Sequence, residues 1–241
     1  MSEMQPWEHL IEEAATRQHD EERVLKQDRS RQRSAEILDA AVRVFARDGL
    51  VKARVADIAA EAGVPLPSLY DYFKGKAELA YAVPIARQSE FFQEFSRQAR
   101  EMETSRERLA HFLWLTTDFA RRNPDWAQVL YLEIWPSVLV RESRVRAILD
   151  DYGRIVVALI REGAERGEWP EDPSPYQTAT ILIGAISQLI ITWLLYRRPR
   201  DLVAAAHPMV ERMMTLLDNP PEPPVARRPR RTARKKASAA S

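Results

Sequence analysis

Two glycines divide residues 32–73 into three short helical patterns, and that division leaves few ways to fold the stretch. In residues 32–47, Ile37, Leu38, Ala41, Val44 and Phe45 recur at spacings of three and four, the period of an amphipathic helix, and Gly49 stops it. Residues 54–62 repeat the period with Val55, Ile58, Ala59 and Ala62, then close on Gly63, which suits the left-handed turn after a helix C-terminus. A third helix can begin at Pro65, Leu66 or Pro67, since proline fits a first turn, and runs to about Phe73. Two short helices joined by Ala62-Gly63-Val64 predict a helix-turn-helix.

Helical patterns continue beyond it. A fourth helix starts near Lys76 and carries Leu79, Val83, Phe91, Phe92 and Phe95; Pro84 removes a backbone donor within it and predicts a kink. Further helices are expected at about 106–122, 125–135, 142–166, 176–197 and 201–217, separated by Asn123-Pro124, Pro136, the segment 169–175 and Pro199. No run of alternating β-branched residues lies between turns, so the expected class is all-α. Hydrophobic residues make up 45% of the 241, enough for a sizeable core. The absence of cysteine excludes disulfides, thiolate metal sites and cysteine nucleophiles. Seven glycines against 16 prolines leave little material for phosphate-cradling loops.

The formal net charge of +1 advertises no partner, but its distribution does. Residues 1–25 hold two basic residues against seven acidic, residues 26–76 hold ten against seven, and residues 219–241 hold seven against one. Two basic regions flank a neutral-to-acidic body, a distribution suited to touching an anionic polymer at defined places. The chain is therefore expected to divide into an acidic N-terminal extension (1–28), a helix-turn-helix domain (29–76), a helical domain (77–218) and a tail (219–241). Proline followed by Arg, Lys, Ala and Ser cannot bury a core, so that tail is expected to be disordered.

At Ile37-Leu38-Asp39-Ala40-Ala41, Phe45, Gly49, Asp57-Ile58-Ala59, Ala62-Gly63-Val64, Leu69-Tyr70, Tyr72-Phe73, Lys76 and Leu79 the chain resembles the tetracycline-repressor (TetR) family of bacterial transcription regulators. The resemblance covers about residues 33–81. It implies a three-helix DNA-binding domain, a connecting helix, and a C-terminal domain that dimerises and usually holds a small effector. It also implies phosphate contacts by Tyr70, Tyr72 and Lys76, to which Arg31, Arg33 and Arg54 add charge. The alternative, less favoured, is that Tyr70 and Tyr72 merely pack the three-helix core. Arg54 stands where the family often has a capping Thr or Ser, and Ala56 can read no base. Leu66, Pro67, Ser68 and Asp71 are left to face the bases, with thymine-methyl contacts by Leu66 and Pro67 and DNA shape carrying part of the specificity. Asp71 either accepts from a cytosine amino group or is a solvated charge.

In the C-terminal half, Trp114, Thr117, Trp126, Tyr131, Trp135, Tyr152 and Gln188 sit on helices that surround an effector cavity in the family; they either line such a pocket or fill a core. Residues 176–197 carry no charge before Arg197 and are apolar around most of the circumference, the length of a membrane span. The interspersed Gln and Thr favour a helix buried between its own domain and a second copy, with Ile183, Ile186, Ile190, Trp193 and Leu194 at the interface. Four scattered histidines offer no metal site, and no catalytic or cofactor motif is present. The expectation is a cytoplasmic, homodimeric DNA-binding regulator, a repressor released from a palindromic operator by an unknown small effector, with no cofactor and no enzymatic activity. A ligand-independent regulator and a membrane-anchored helical protein are the alternatives.

Overall fold

The computed structural model describes residues 5–22, 28–137, 141 and 143–220. Among these there is no strand, as an all-α chain requires. The helices are α1 (Pro6–Glu22), α2 (Asp28–Lys52), α3 (Val55–Glu61), α4 (Leu66–Tyr70), α5 (Lys76–Ala99), α6 (Ser105–Arg122), α7 (Pro124–Gln128), α8 (Ser143–Glu165), α9 (Pro175–Tyr196) and α10 (Leu202–Asp218). A π-helical turn, Val129–Ile134, continues α7. The tail beyond Pro220, including the basic run 227–236, lies outside the described residues.

Two cores organise these elements. The smaller gathers Ile37, Ala41, Phe45, Ile58, Leu69, Phe73, Leu79 and Val83 from α2 to α5. Gly49 (φ 77°) breaks α2 and Gly63 (φ 65°) turns the chain from α3 to α4; both angles favour a residue without Cβ. Helix α4 is shorter than the expected 65–73 because the chain tightens after Tyr70, where Asp71 N–H donates to the Ser68 carbonyl. Helix α5 runs on as one helix past Pro84, which is buried, and carries Phe91, Phe92 and Phe95 into the larger core. There α6, α8, α9 and α10 pack around Phe112, Leu113, Ile155, Ile186 and Ile190. A capping box opens α6: Thr104 Oγ1 accepts from Glu107 N–H while the Glu107 carboxylate accepts from Thr104 N–H.

Three expectations change. The acidic N-terminal stretch is more than an extension: α1 packs across α5 and α8, with Trp7 only 1% exposed and edge-on to Phe95 at 5.4 Å. Glu8 pairs with Arg100 at 3.0 Å and Glu13 with Arg154 at 3.2 Å. The single helix expected at 125–135 is instead α7 plus the π turn, whose extra residue per turn lets the segment meet both cores. The boundary at 76/77 does not separate the cores, since Leu79, Ala80 and Val83 of α5, Val129 and Ile134 of the π turn and Val145 of α8 all belong to the smaller one.

Candidate functional site: a DNA-reading surface and an apolar cavity

Helix α4 is held by Leu69, fully buried, and Phe73 just beyond it, so its other faces are free to meet a partner. Leu66 is 38% exposed and Tyr70 50%; Pro67 and Asp71 are exposed, and Ser68 is half-buried. Tyr72 is also half-buried and packs against the smaller core, so of the two tyrosines Tyr70 projects further. A short, exposed helix anchored from behind has the form needed to enter a major groove.

The cations around it are arranged less simply than their sequence positions imply. Arg54 supplies no side-chain cap to α3 and forms a two-point pair with Asp57, at 2.8 and 2.9 Å. That pairing raises the guanidinium and lowers the Asp57 carboxyl relative to their ordinary values. Arg33 is exposed and pairs with Glu36 at 2.7 Å, and Arg31 is exposed two residues earlier. The Lys76 ammonium donates to the carbonyls of Val51 and Ala53, both at 3.0 Å, and so caps the end of α2. Lys52 and Lys74, absent from the residues picked out by sequence, are exposed and carry no side-chain ion pair among the described residues. Each stands beside a helix end, and that position is the signal by which sequence could find them.

Above this domain lies an apolar cavity of about 80 Å³, lined by Phe91, Phe119, Trp126, Leu130, Tyr131 and Tyr152 among others. Of the residues expected here from sequence, Trp126, Tyr131, Trp135 and Tyr152 are all in the wall. The other three, Trp114, Thr117 and Gln188, are corrected. Thr117 is turned into the core and bonds the Trp114 carbonyl, leaving Thr116 on the cavity. Trp114 packs against His111 and His207 on the α6–α10 side. Gln188 points to solvent and its neighbour Ser187 lines the wall. Being one residue off rotates a side chain about 100° around a helix, beyond what periodicity of a nearly uniform helix resolves. Among the described residues no acidic or basic side chain reaches the wall. Burial drives the Tyr131 and Tyr152 phenols well above their ordinary value, so both stay neutral, and the Tyr152 hydroxyl is hydrogen-bonded to Thr116.

The segment from Pro124 to Trp135 stands between cavity and DNA-reading domain. Trp126, Leu130, Tyr131 and Trp135 face the cavity. From the same segment Val129 and Ile134 enter the smaller core, the Gln128 amide donates to the Ala46 carbonyl at 2.6 Å, and Glu133 Oε2 accepts from Leu50 N–H at 3.1 Å. The Glu133 carboxylate also lies over Gly49, where an added Cβ would touch it at 3.5 Å. A wall of the cavity is thus fastened to the break in α2.

Helix α9 is long and apolar enough to cross a membrane by length and composition, yet one face packs on α6, α8 and α10. Three of the five interface residues assigned from sequence are corrected here too. Ile186, Ile190 and Leu194 are buried in the subunit's own core, Ile183 lines the cavity, and Trp193 is half-buried beneath the Arg197 guanidinium. The outward stripe is Gln177, Ile181, Gly184, Gln188 and Leu195, at spacings of three, four and seven and without a charge.

A helix-turn-helix with an exposed second helix, tied to an α-helical domain that holds an apolar cavity, defines a DNA-binding regulator. Residues 37–83 match the family described as "Bacterial regulatory proteins, tetR family", and residues 86–216 match "YsiA-like protein, C-terminal region". The chain belongs to the tetR family of bacterial transcription regulators. It is 29% identical over 189 residues to the fatty acid metabolism regulator protein of Bacillus subtilis, covering 76% of this chain and 95% of that one. It is 26% identical over 208 residues to the transcriptional regulator TtgR of Pseudomonas putida, covering 76% and 90%. Among solved structures it is similar to the regulator FadR from Bacillus subtilis in complex with stearoyl-CoA, with a TM-score of 0.69, 27% identity, and 77% and 97% coverage.

Proposed function

We propose that this regulator acts in the cytoplasm as a homodimeric repressor, holding a palindromic operator until an apolar acyl-type effector enters the cavity. The observation that carries the reading is the two-faced segment 124–135, with one face in the cavity wall and the other fastened to α2 by Gln128 and Glu133. A cavity of about 80 Å³ admits only a short apolar piece, so a longer ligand must push its wall outward. Displacing this wall moves the hold on α2, and α2 carries the core on which the reading helix stands. Binding that differs between two arrangements of one element is what couples two sites. The acyl class is supported by the apolar lining and by the relatives named for fatty acid metabolism, one of them solved with stearoyl-CoA. The uncharged outer stripe of α9 supports the homodimer, and two copies related by a two-fold axis would set two reading helices against the halves of a palindrome.

The test begins with a duplex selected from random DNA by the purified protein. Its affinity is measured by fluorescence anisotropy against acyl-CoA thioesters of increasing chain length. Release of the duplex, together with a change in tryptophan emission from the cavity wall, is the expected outcome. DNA binding that no acyl thioester or other apolar ligand alters would leave a regulator without an effector.

A further inference from the structure

We propose that the operator half-site is read chiefly at the C5 edge of pyrimidines, with Leu66 and Pro67 packing on thymine methyl groups. The proposal rests on the DNA-regulator reading and deepens it by naming the bases. Each base pair offers a distinct major-groove pattern, and the side chains that read purines with two hydrogen bonds are Arg or Lys for guanine and Asn or Gln for adenine. Residues 65–73, Pro-Leu-Pro-Ser-Leu-Tyr-Asp-Tyr-Phe, contain none of the four. Ala56, on the exposed side of α3, supplies no donor either. Arg43 and Arg47, on α2, are paired with Glu61, and Arg54 with Asp57.

What the reading helix does present is apolar. Leu66 is its first residue and Pro67 its second, both exposed, and the N-terminal residues of such a helix are those that meet base edges. Leu69 points away into the core, so the leucine at the groove is Leu66 alone. Pro67 has a fixed φ and no N–H, so it offers a rigid hydrocarbon surface and no polar alternative. The methyl of thymine is the one apolar group in the groove, which makes it the match for this surface. Asp71, exposed at the other end, can only accept when ionised, and cytosine N4 is the major-groove donor that leaves the C5 edge on the same side. Ser68 discriminates little because a hydroxyl both donates and accepts.

The experiment uses the full-length protein and a selected duplex in which each thymine is replaced singly by deoxyuridine, which removes the methyl and nothing else. At one or two positions per half-site the affinity should fall about four-fold, the ratio that corresponds to burying one carbon. Cytosine placed at those positions should bind less tightly than 5-methylcytosine. In Leu66→Ala and Pro67→Ala, both at exposed positions that leave folding intact, the thymine-to-uracil ratio should shrink toward one at the matching position. A duplex that retains sequence preference but shows no uracil effect at any position overturns the proposal while the regulator reading stands. Failure to select any preferred duplex overturns the regulator reading itself.

Discussion

Gly163 occupies a place where no side chain fits: a Cβ there would enter the indole ring of Trp169, far inside van der Waals contact. That ring is buried and fixed by its N–H bond to the Ile160 carbonyl at 2.9 Å, so it cannot step aside. Gly163→Ala should therefore destabilise the fold by about 1–3 kcal/mol despite the better helix propensity of alanine, measurable by urea titration. One position earlier, Glu162 meets Arg108 at 2.9 Å in a nearly dry setting, with Arg108 also donating to the Ala99 and Met102 carbonyls. Burial outweighs the neighbouring guanidinium and raises the Glu162 carboxyl above its ordinary value. Its folded pKa thus exceeds its unfolded one, so its contribution is fully present below the ordinary glutamate value and is lost as pH rises through the raised value. Glu162→Gln should remove that component and flatten the fall in Tm as pH rises above the ordinary glutamate value. Neither effect is legible in the sequence, which places both residues on one helix without showing which neighbour each meets.

Helix α1 shows how an element's role can be hidden by composition. Its seven-to-two excess of acidic residues in 1–25 reads as a solvated lead-in, while its two apolar anchors, Trp7 and Ile11, lie four apart and place a stripe on α5 and α8. Trp7→Ala should cost about 3–5 kcal/mol by opening a hole against Phe95, and thermal unfolding reads that directly. The helices of the smaller core are legible because glycine at 49 and 63 ends each pattern and a 3.6 period fills the interval. The π turn is not, because a one-residue widening leaves apolar residues still spaced as in a helix and changes only where they point. Its polar fastenings allow a direct test: Glu133→Ala removes the acceptor of Leu50 N–H at a half-buried site and leaves the cavity lining untouched. Affinity for DNA alone and for effector alone should stay near wild type while the factor by which one weakens the other shrinks. An unchanged factor would place the coupling outside this contact.

At the scale of the whole molecule the same distinction between faces decides the dimer. Ile190→Glu buries a carboxylate in the subunit's own core and should unfold it, whereas Ile181→Glu puts the charge on the outward stripe and should yield a folded monomer by light scattering. A folded dimer from Ile181→Glu would move the interface off α9. The basic tail is expected to act on a separate quantity. Helix α10 ends at Asp218 with Leu217 and Met214 as its last core residues, so truncation after Pro220 leaves every described core residue in place. It does remove seven cations, Arg227, Arg228, Arg230, Arg231, Arg234, Lys235 and Lys236, against the one acid Glu222. Cations near a duplex release counterions whatever its sequence, each phosphate neutralised adding about 0.9 to the slope of log affinity against log salt. The truncated protein should therefore bind its operator and random DNA more weakly by similar factors, with a shallower salt slope for both and an unchanged ratio between them. A ratio that falls on truncation would mean that the tail takes part in reading the operator, for which Arg230 and Arg231 in an AT-rich minor groove offer the chemistry.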